Sequence, residues 1–390
     1  MSDQAILRLE NEVQRYDWGS RTAIPALLGR PPSAEPQAEL WMGAHPRAPS
    51  RVGTSEGEVA LDAWIARDPD ATLGRDVAAR FGGALPFLFK VLAAERPLSI
   101  QAHPGREQAR AGFEREERAG IPRDAAERRY PDPNEKPELI CALTCFRALD
   151  RFREPAEIRE RLERIGAGRL ATRGDGAKAL FAAWLAAGAA ERADGIERAT
   201  RWARDAADDD AAARCVLELA ARHPGDAGVL APLWLNLVEL EPGEALFLPP
   251  GELHAYLGGV GLELMGSSDN VLRGGLTAKP VDVPELLVAL ADRAGPVERL
   301  TAEPLGPGES VYRTPAAAFE LSVIDTRARG PRAFDHGVEV LLCSEGTCEI
   351  SAGSAPPLAL ARGGSAFVPA CAPPYRIDGE AILHRAALPR

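Results

Sequence analysis

The feature that most limits the fold is a change of hydrophobic period inside the chain. From about residue 151 to 238 the sequence is rich in Ala, Arg, Glu and Asp. Apolar residues recur there at helical spacing: Ile158, Leu162 and Ile165, then Leu180, Trp184 and Leu185, then Val216, Leu217 and Leu219. On both sides the pattern is short strands and turns. Leu85–Leu92 puts Phe87, Phe89 and Val91 on one strand face, Glu244–Pro249 reads as a strand, and Val338–Ser351 and Ser365–Ala370 alternate between Gly and Pro punctuation. With 37 glycines and 33 prolines, a helical bundle running the whole length is excluded. The pattern predicts a mainly β protein with an α insertion. Residues 1–150 plus 239–299 form one discontinuous β unit, and 300–390 form a small all-β domain. Between them, 151–238 hold four or five helices, broken at Gly166–Gly168, Gly174–Gly176 and Pro224–Gly225. Shorter helices are expected at Val59–Arg67, Arg75–Arg80 and Pro284–Asp292.

Charge and cysteine usage exclude several classes of function. The balance of 46 basic and 57 acidic residues gives −11, which disfavours nucleic acid as a partner. No run approaches the ~18 apolar residues of a membrane span, and the first residues lack a secretory pattern. A cytoplasmic monomer without a membrane partner is expected, with Cys141, Cys145, Cys215, Cys343, Cys348 and Cys371 as free thiols. Only four of the 46 basic residues are lysines: Lys90, Lys136, Lys178 and Lys279. Arginine has taken nearly every position where a generic positive charge suffices, so a retained lysine points to a need for its compact, titratable ammonium.

Three segments concentrate metal donors. In Pro97–Pro104 (PLSIQAHP) a strand would turn Leu98, Ile100 and Ala102 one way and Ser99, Gln101 and His103 the other. A Gln carbonyl and an imidazole on one face suit Zn²⁺ or another divalent ion. In Glu244–Tyr256 an apolar strand enters a Pro-Pro-Gly turn, and a second strand carries His254 and Tyr256. Asn134–Leu139 (NEKPEL) offers two carboxylates, and donor chemistry does not choose between Glu135 and Glu138. Together the three segments point to a mononuclear site.

The same segments carry a resemblance. Tyr16–Gly19 (YDWG), Glu39–His45 (ELWMGAH), Pro86–Lys90, Leu98–Pro104, Asp132–Glu138, Pro249–Leu257 and Ser268–Lys279 (SDNVLRGGLTAK) resemble the type I phosphomannose isomerases, in that family's order. The resemblance implies a cupin/jelly-roll β-barrel catalytic domain, a helical insertion and a C-terminal cupin-like β domain. It implies one Zn²⁺ per chain, held by Gln101, His103, Glu138 and His254, and an active-site role for Arg273. The family usually reads NHKPE where this chain reads NEKPE. Glu135 thus brings an additional carboxylate that could alter local pKa values or compete for the metal.

The implied reaction interconverts mannose 6-phosphate and fructose 6-phosphate through a cis-enediol(ate). It needs a base, an electrophile and an anchor for a phosphate carrying close to two negative charges. Arg273 can stabilise the developing oxyanion. Glu263, in Gly261–Met265, is the favoured base, with Lys136 as the alternative. Lys90, Lys279 and Ser99 are candidates for the phosphate, and Trp18 and Tyr256 for packing against the sugar. Other readings are an isomerase of a related sugar, a catalytically silent sugar-phosphate-binding cupin, and a metal-dependent cupin oxygenase, which would want a richer His set.

Overall fold

Strand alternation builds the sheet that carries the donor segments. A computed structural model of the chain describes residues 6–54, 57–125, 127–328, 332–335 and 337–389. In the strand Phe87–Ala94, Phe87, Phe89, Val91 and Ala93 enter a buried apolar cluster with Leu262, Leu264 and Leu139. Leu88, Lys90 and Leu92 face a large cleft on the other side. The sheet runs in the order Leu300–Thr301, Glu244–Leu248, Glu138–Ala142, His254–Gly266, Phe87–Ala94, Glu39–Met42, Glu12–Gln14.

His254–Gly266, 13 residues long, is the hinge of this layer. Its first residues pair with Ile100–Ala102 and Phe146–Phe152; from Gly259 onward it pairs with Phe87–Ala94 and Glu138–Ala142. The register shifts between Tyr256 and Gly258, and Gly259 sits at φ +117°, where an added Cβ would lie 2.6 Å from the Cys145 carbonyl oxygen. Such a bulge bends a strand and inverts the phase of its side chains. His254 and Tyr256 before it, and Glu263 and Met265 after it, can therefore share the concave side despite opposite parity.

The mainly β architecture with helices holds. Among the described residues, hydrogen bonding does not return from one edge of the sheet to the other. The strands Ile100–Ala102, Phe146–Phe152, Leu235–Leu240 and Leu272–Gly275 belong to the same sheet off this path, joined to it through His254–Gly266. The second sheet is built around Glu339–Ala352 and Tyr375–Ala387. It also takes in N-terminal strands: Leu7 opposes Phe367, and Leu9 opposes Val52. The helix expected at Val59–Arg67 begins only at Leu61 and ends at Ile65, because Val59 pairs with Val52 in a hairpin.

The helical segment leaves on Phe146–Phe152 and returns on Leu235–Leu240, and these two strands pair antiparallel, Leu240 opposite Phe146. Between them lie the helices Pro155–Arg164, Gly168–Ala171, Ala177–Leu185, Ala189–Ala206 and Ala211–Arg222, a 3-10 turn Ala227–Leu230 and a last turn Ala231–Trp234. Asp210 caps the fifth helix by accepting from the Ala212 backbone N–H at 2.8 Å. Phe181, Trp184 and Trp234 form a buried cluster with Phe152 that continues into Ile100, Ala102, Leu253 and Ala255. These last four neighbour Gln101 and His254 in sequence. The insertion therefore covers the apolar side of the donor strands, where each buried large side chain contributes roughly 1.5–3 kcal/mol.

Excising residues 152–237 with a short Gly/Ser bridge should therefore abolish the cooperative thermal transition followed by near-UV circular dichroism. A soluble truncation that melts cooperatively would show the segment to be an appendage.

Candidate active site

Two histidines and one carboxylate meet at the floor of a cleft of about 740 Å³. His103 Nε2 lies 3.1 Å from Glu138 Oε1, and His254 Nε2 lies 3.2 Å from Glu138 Oε2. All three side chains are buried. Each imidazole is oriented from behind: His103 Nδ1 is 2.7 Å from the Asn270 carbonyl oxygen, and His254 Nδ1 is 3.1 Å from that of Glu252. A carbonyl only accepts, so Nδ1 carries the proton in both rings and Nε2 presents a lone pair. Burial first, then the charge of Lys136, push the His103 imidazole down to about 4, keeping it in the neutral, ligating form.

The segments that hold these groups are fastened to each other. Asn270 Nδ2 donates to the carbonyl oxygens of Asp132 (2.9 Å) and Asn134 (2.8 Å), and Asp132 Oδ2 accepts from the Asp269 backbone N–H at 2.7 Å. The motif carrying Arg273 thus fixes both His103 and the approach to Glu138. Gln101 lines the cleft, with His254 opposite it on one neighbouring strand and Arg273 on the other.

The donor atoms fit a divalent metal. His103 Nε2, His254 Nε2 and Glu138 Oε2 are buried without a hydrogen-bond partner. Three electron-pair donors facing one another without protons to share are a costly arrangement that a cation resolves. Two imidazoles, a carboxylate and a nearby amide carbonyl are a suitable set for zinc. Glu135 turns elsewhere. Its Oε1 is 2.6 Å from Arg106 NH2 and accepts a second bond from Arg106 Nε at 3.2 Å, which leaves Glu138 as the carboxylate at the floor.

The other residues singled out in the sequence lie around the same cleft. Lys136, Ser99, Tyr256, Trp18, Glu263, Arg273, Lys90 and Lys279 all contribute to its wall, while His103 and His254 sit behind Glu138. Lys136 Nζ is 3.1 Å from Glu138 Oε1. Lys90 is buried and committed to carboxylates: its ammonium donates to Glu263 Oε2 at 2.7 Å and lies 3.7 Å from Glu39 Oε1. Burial lowers the Lys90 pKa, but these two carboxylates outweigh it and raise the group above its ordinary value. Burial raises Glu263 above the usual carboxylate range against the opposing charge of Lys90. Trp18 stacks on Tyr16 with centroids 5.7 Å apart.

Sequence reading gave no role to Glu39, Trp41, His45, Arg47 or Asp269, which also line the cleft. Trp41 Nε1 donates to Glu39 Oε2 at 2.7 Å, Arg47 NH1 is 3.1 Å from Asp269 Oδ1, and His45 Nε2 is 3.6 Å from Asp269 Oδ2. His45, in ELWMGAH, was visible as one of six histidines, but no second donor near it in sequence marked it out.

Comparison with known proteins agrees with this geometry. Residues 6–155 match the family model "Phosphomannose isomerase type I, catalytic domain". The mannose-6-phosphate isomerase of Escherichia coli K12 is 41% identical, with 97% of this chain and 98% of that protein covered. The Homo sapiens mannose-6-phosphate isomerase is 34% identical over 94% of each chain. Among solved structures, a point mutant of phosphomannose isomerase from Salmonella typhimurium superposes with TM-score 0.91 at 38% identity, covering 99% of this chain and 100% of that one. A zinc-bound mannose 6-phosphate isomerase superposes with TM-score 0.90, also at 38% identity and with the same coverage.

His254→Ala should abolish stoichiometric binding of a divalent metal, measured by elemental analysis, whereas Glu135→Ala should retain it. Loss of metal in the Glu135 variant would make that residue a ligand.

Proposed function

The chain belongs to the type I phosphomannose isomerases, and from that premise we infer that it is a zinc-dependent mannose-6-phosphate isomerase, an aldose-ketose isomerase acting on mannose 6-phosphate and fructose 6-phosphate. The observation that carries this reading is the convergence of His103, Glu138 and His254 beneath a cleft whose walls present Glu263 and Arg273. Gln101, His103, Glu138 and His254 are the residues that would hold the zinc. When bound, zinc supplies a Lewis acid that polarises the sugar carbonyl and favours the enediolate.

The remaining steps fall to the chain's own side chains. Glu263 is the proposed base, taking the proton from C2 and returning it to C1 on the same face of the cis-enediolate. Its raised pKa brings it nearer to neutrality, where a carboxylate is a more effective acid and base. Lys136, held 3.1 Å from Glu138, is the alternative base. Arg273 stabilises negative charge developing on the enediolate oxygens. Lys279 and Ser99 address the phosphate, and Trp18 and Tyr256 pack against the sugar. Lys90, first considered for the phosphate, is better read as the residue that keeps Glu263 ionised and in place, since Glu263 and Glu39 already neutralise it. The reading further places the enzyme in the cytoplasm as a monomer. Among the described residues no helix is long and apolar enough to cross a membrane.

Prolonged chelation should remove activity in a coupled mannose 6-phosphate assay, and zinc should restore it; full activity in metal-free protein would refute the reading. Arg273→Ala should keep the metal and lower kcat about 10²–10³-fold, the usual loss for one oxyanion donor. A pH profile tests Lys90. Glu263 faces Lys90, Glu39, Glu138 and Lys136, and Lys90 acts to lower its pKa. Lys90→Met removes that cation, so the Glu263 pKa rises and the acidic limb of kcat/KM moves to higher pH. An unmoved or lowered limb would contradict the pairing.

A further inference from the structure

We propose that the helical insertion supplies a phosphate-binding residue, Arg222, to the mouth of the cleft. The proposal rests on the isomerase reading above and deepens it. Arg222 and His223, at the end of the helix Ala211–Arg222, line the same cleft as Gln101, Glu138 and Arg273. No family motif noted in the sequence includes them.

The insertion is fastened to the strand end that carries the cleft's cations. Four residues past Arg222, Asp226 Oδ1 accepts from the backbone N–H groups of Gly228 (2.7 Å) and Leu276 (2.8 Å), and Oδ2 accepts from that of Thr277 (3.3 Å). Leu276 has φ +54°, a left-handed conformation unusual for leucine, and the carboxylate holds its N–H and the next one together. The fit admits no side chain: a Cβ on Gly228 would lie 2.9 Å from Leu276 N, and one on Gly275 would lie 2.9 Å from Gly228 Cα. Arg222 and the Leu276–Lys279 turn that Asp226 holds line the same cleft.

Cations predominate around Arg273 and Lys279. The charges acting on Arg273 and Lys279 are other cations: Arg129 on the first, Arg273 and Arg47 on the second. Among the described residues Arg222 has only a loose partner, Glu218, at 3.8 Å. Glu218 itself takes the closer Arg147 at 2.9 Å. Arg47 and Arg129 are paired with Asp269 and Asp282, but among the described residues Arg273 and Lys279 have no carboxylate within ion-pair distance, and in a molecule of net charge −11 such unpaired cations invite an anion. The arrangement also suits the length of the substrate. Arg273 is in register with Gln101 at the metal floor, and the chain runs from there through Thr277 and Lys279 to the mouth. A six-carbon sugar with C1 and C2 at the floor directs its C6 phosphate toward Lys279 and Arg222, and a guanidinium fork fits phosphate oxygens.

The test is titration calorimetry of inorganic phosphate into the zinc-loaded full-length protein, alongside KM for mannose 6-phosphate. Arg222→Gln should weaken phosphate binding and raise KM by a similar factor, about tenfold for one charge-assisted contact. Arg222→Lys should recover part of the loss, since it keeps the charge without the fork. The Arg222 side chain is 41% exposed, so neither substitution disturbs a core, and a thermal melt matching wild type verifies this. Unchanged phosphate affinity in Arg222→Gln would overturn the proposal, as would a raised KM with unchanged phosphate affinity. A wild-type protein that binds phosphate yet does not turn over mannose 6-phosphate would instead overturn the isomerase reading, and the calorimetry would still judge Arg222.

Discussion

Glu138 faces two imidazole lone pairs across 3.1 and 3.2 Å, and much of the surrounding structure serves that contact. Three buried donors at this spacing repel unless a cation or shared protons intervene. The protein holds them together through carbonyl groups behind each ring and through the stapling of Asn270 to Asp132 and Asn134. Lys136, 3.1 Å from Glu138, adds positive charge on the cleft side. The opposite wall repeats the logic with a different result. There Lys90 sits between Glu263 and Glu39, with Trp41 fixing Glu39; one cation is shared by two carboxylates, and burial raises the pKa of Glu263 against it.

How much of this could be read from the sequence depended on whether local pattern sufficed. The face carrying Ser99 and Gln101 followed from alternation alone, and both line the cleft, while Ile100 and Ala102 lie in the apolar cluster behind. The helical segment was legible from its period. The choice of Glu138 over Glu135 was not, because it turns on Arg106, which lies 29 residues from Glu135 in sequence and claims it. Nor were the partners of Lys90: its rarity marked it as special, but only a strand pairing 173 residues away shows that its charge is spent on Glu263. Strict alternation from His254 would also have put Glu263 on the wrong face; the bulge at Tyr256–Gly258 reverses the phase.

The insertion links fold to chemistry in a way its composition does not announce. It buries the backs of the donor strands through Trp184, Phe181 and Trp234, and its Asp226 grips the Leu276–Thr277 turn. Neither contact is encoded by a motif. Both arise because the chain departs and returns on adjacent strands, so the helices must fold back over the strands they left.

The central claim is that Gln101, His103, Glu138 and His254 hold one zinc ion. X-ray absorption at the zinc edge of the loaded protein tests it directly. The expected result is a shell of nitrogen and oxygen at about 2.0–2.2 Å with scattering from two imidazoles, and no stoichiometric zinc in His254→Ala. A sulfur shell at about 2.3 Å, or full zinc occupancy with an unchanged shell in His254→Ala, would place the metal elsewhere and contradict the site.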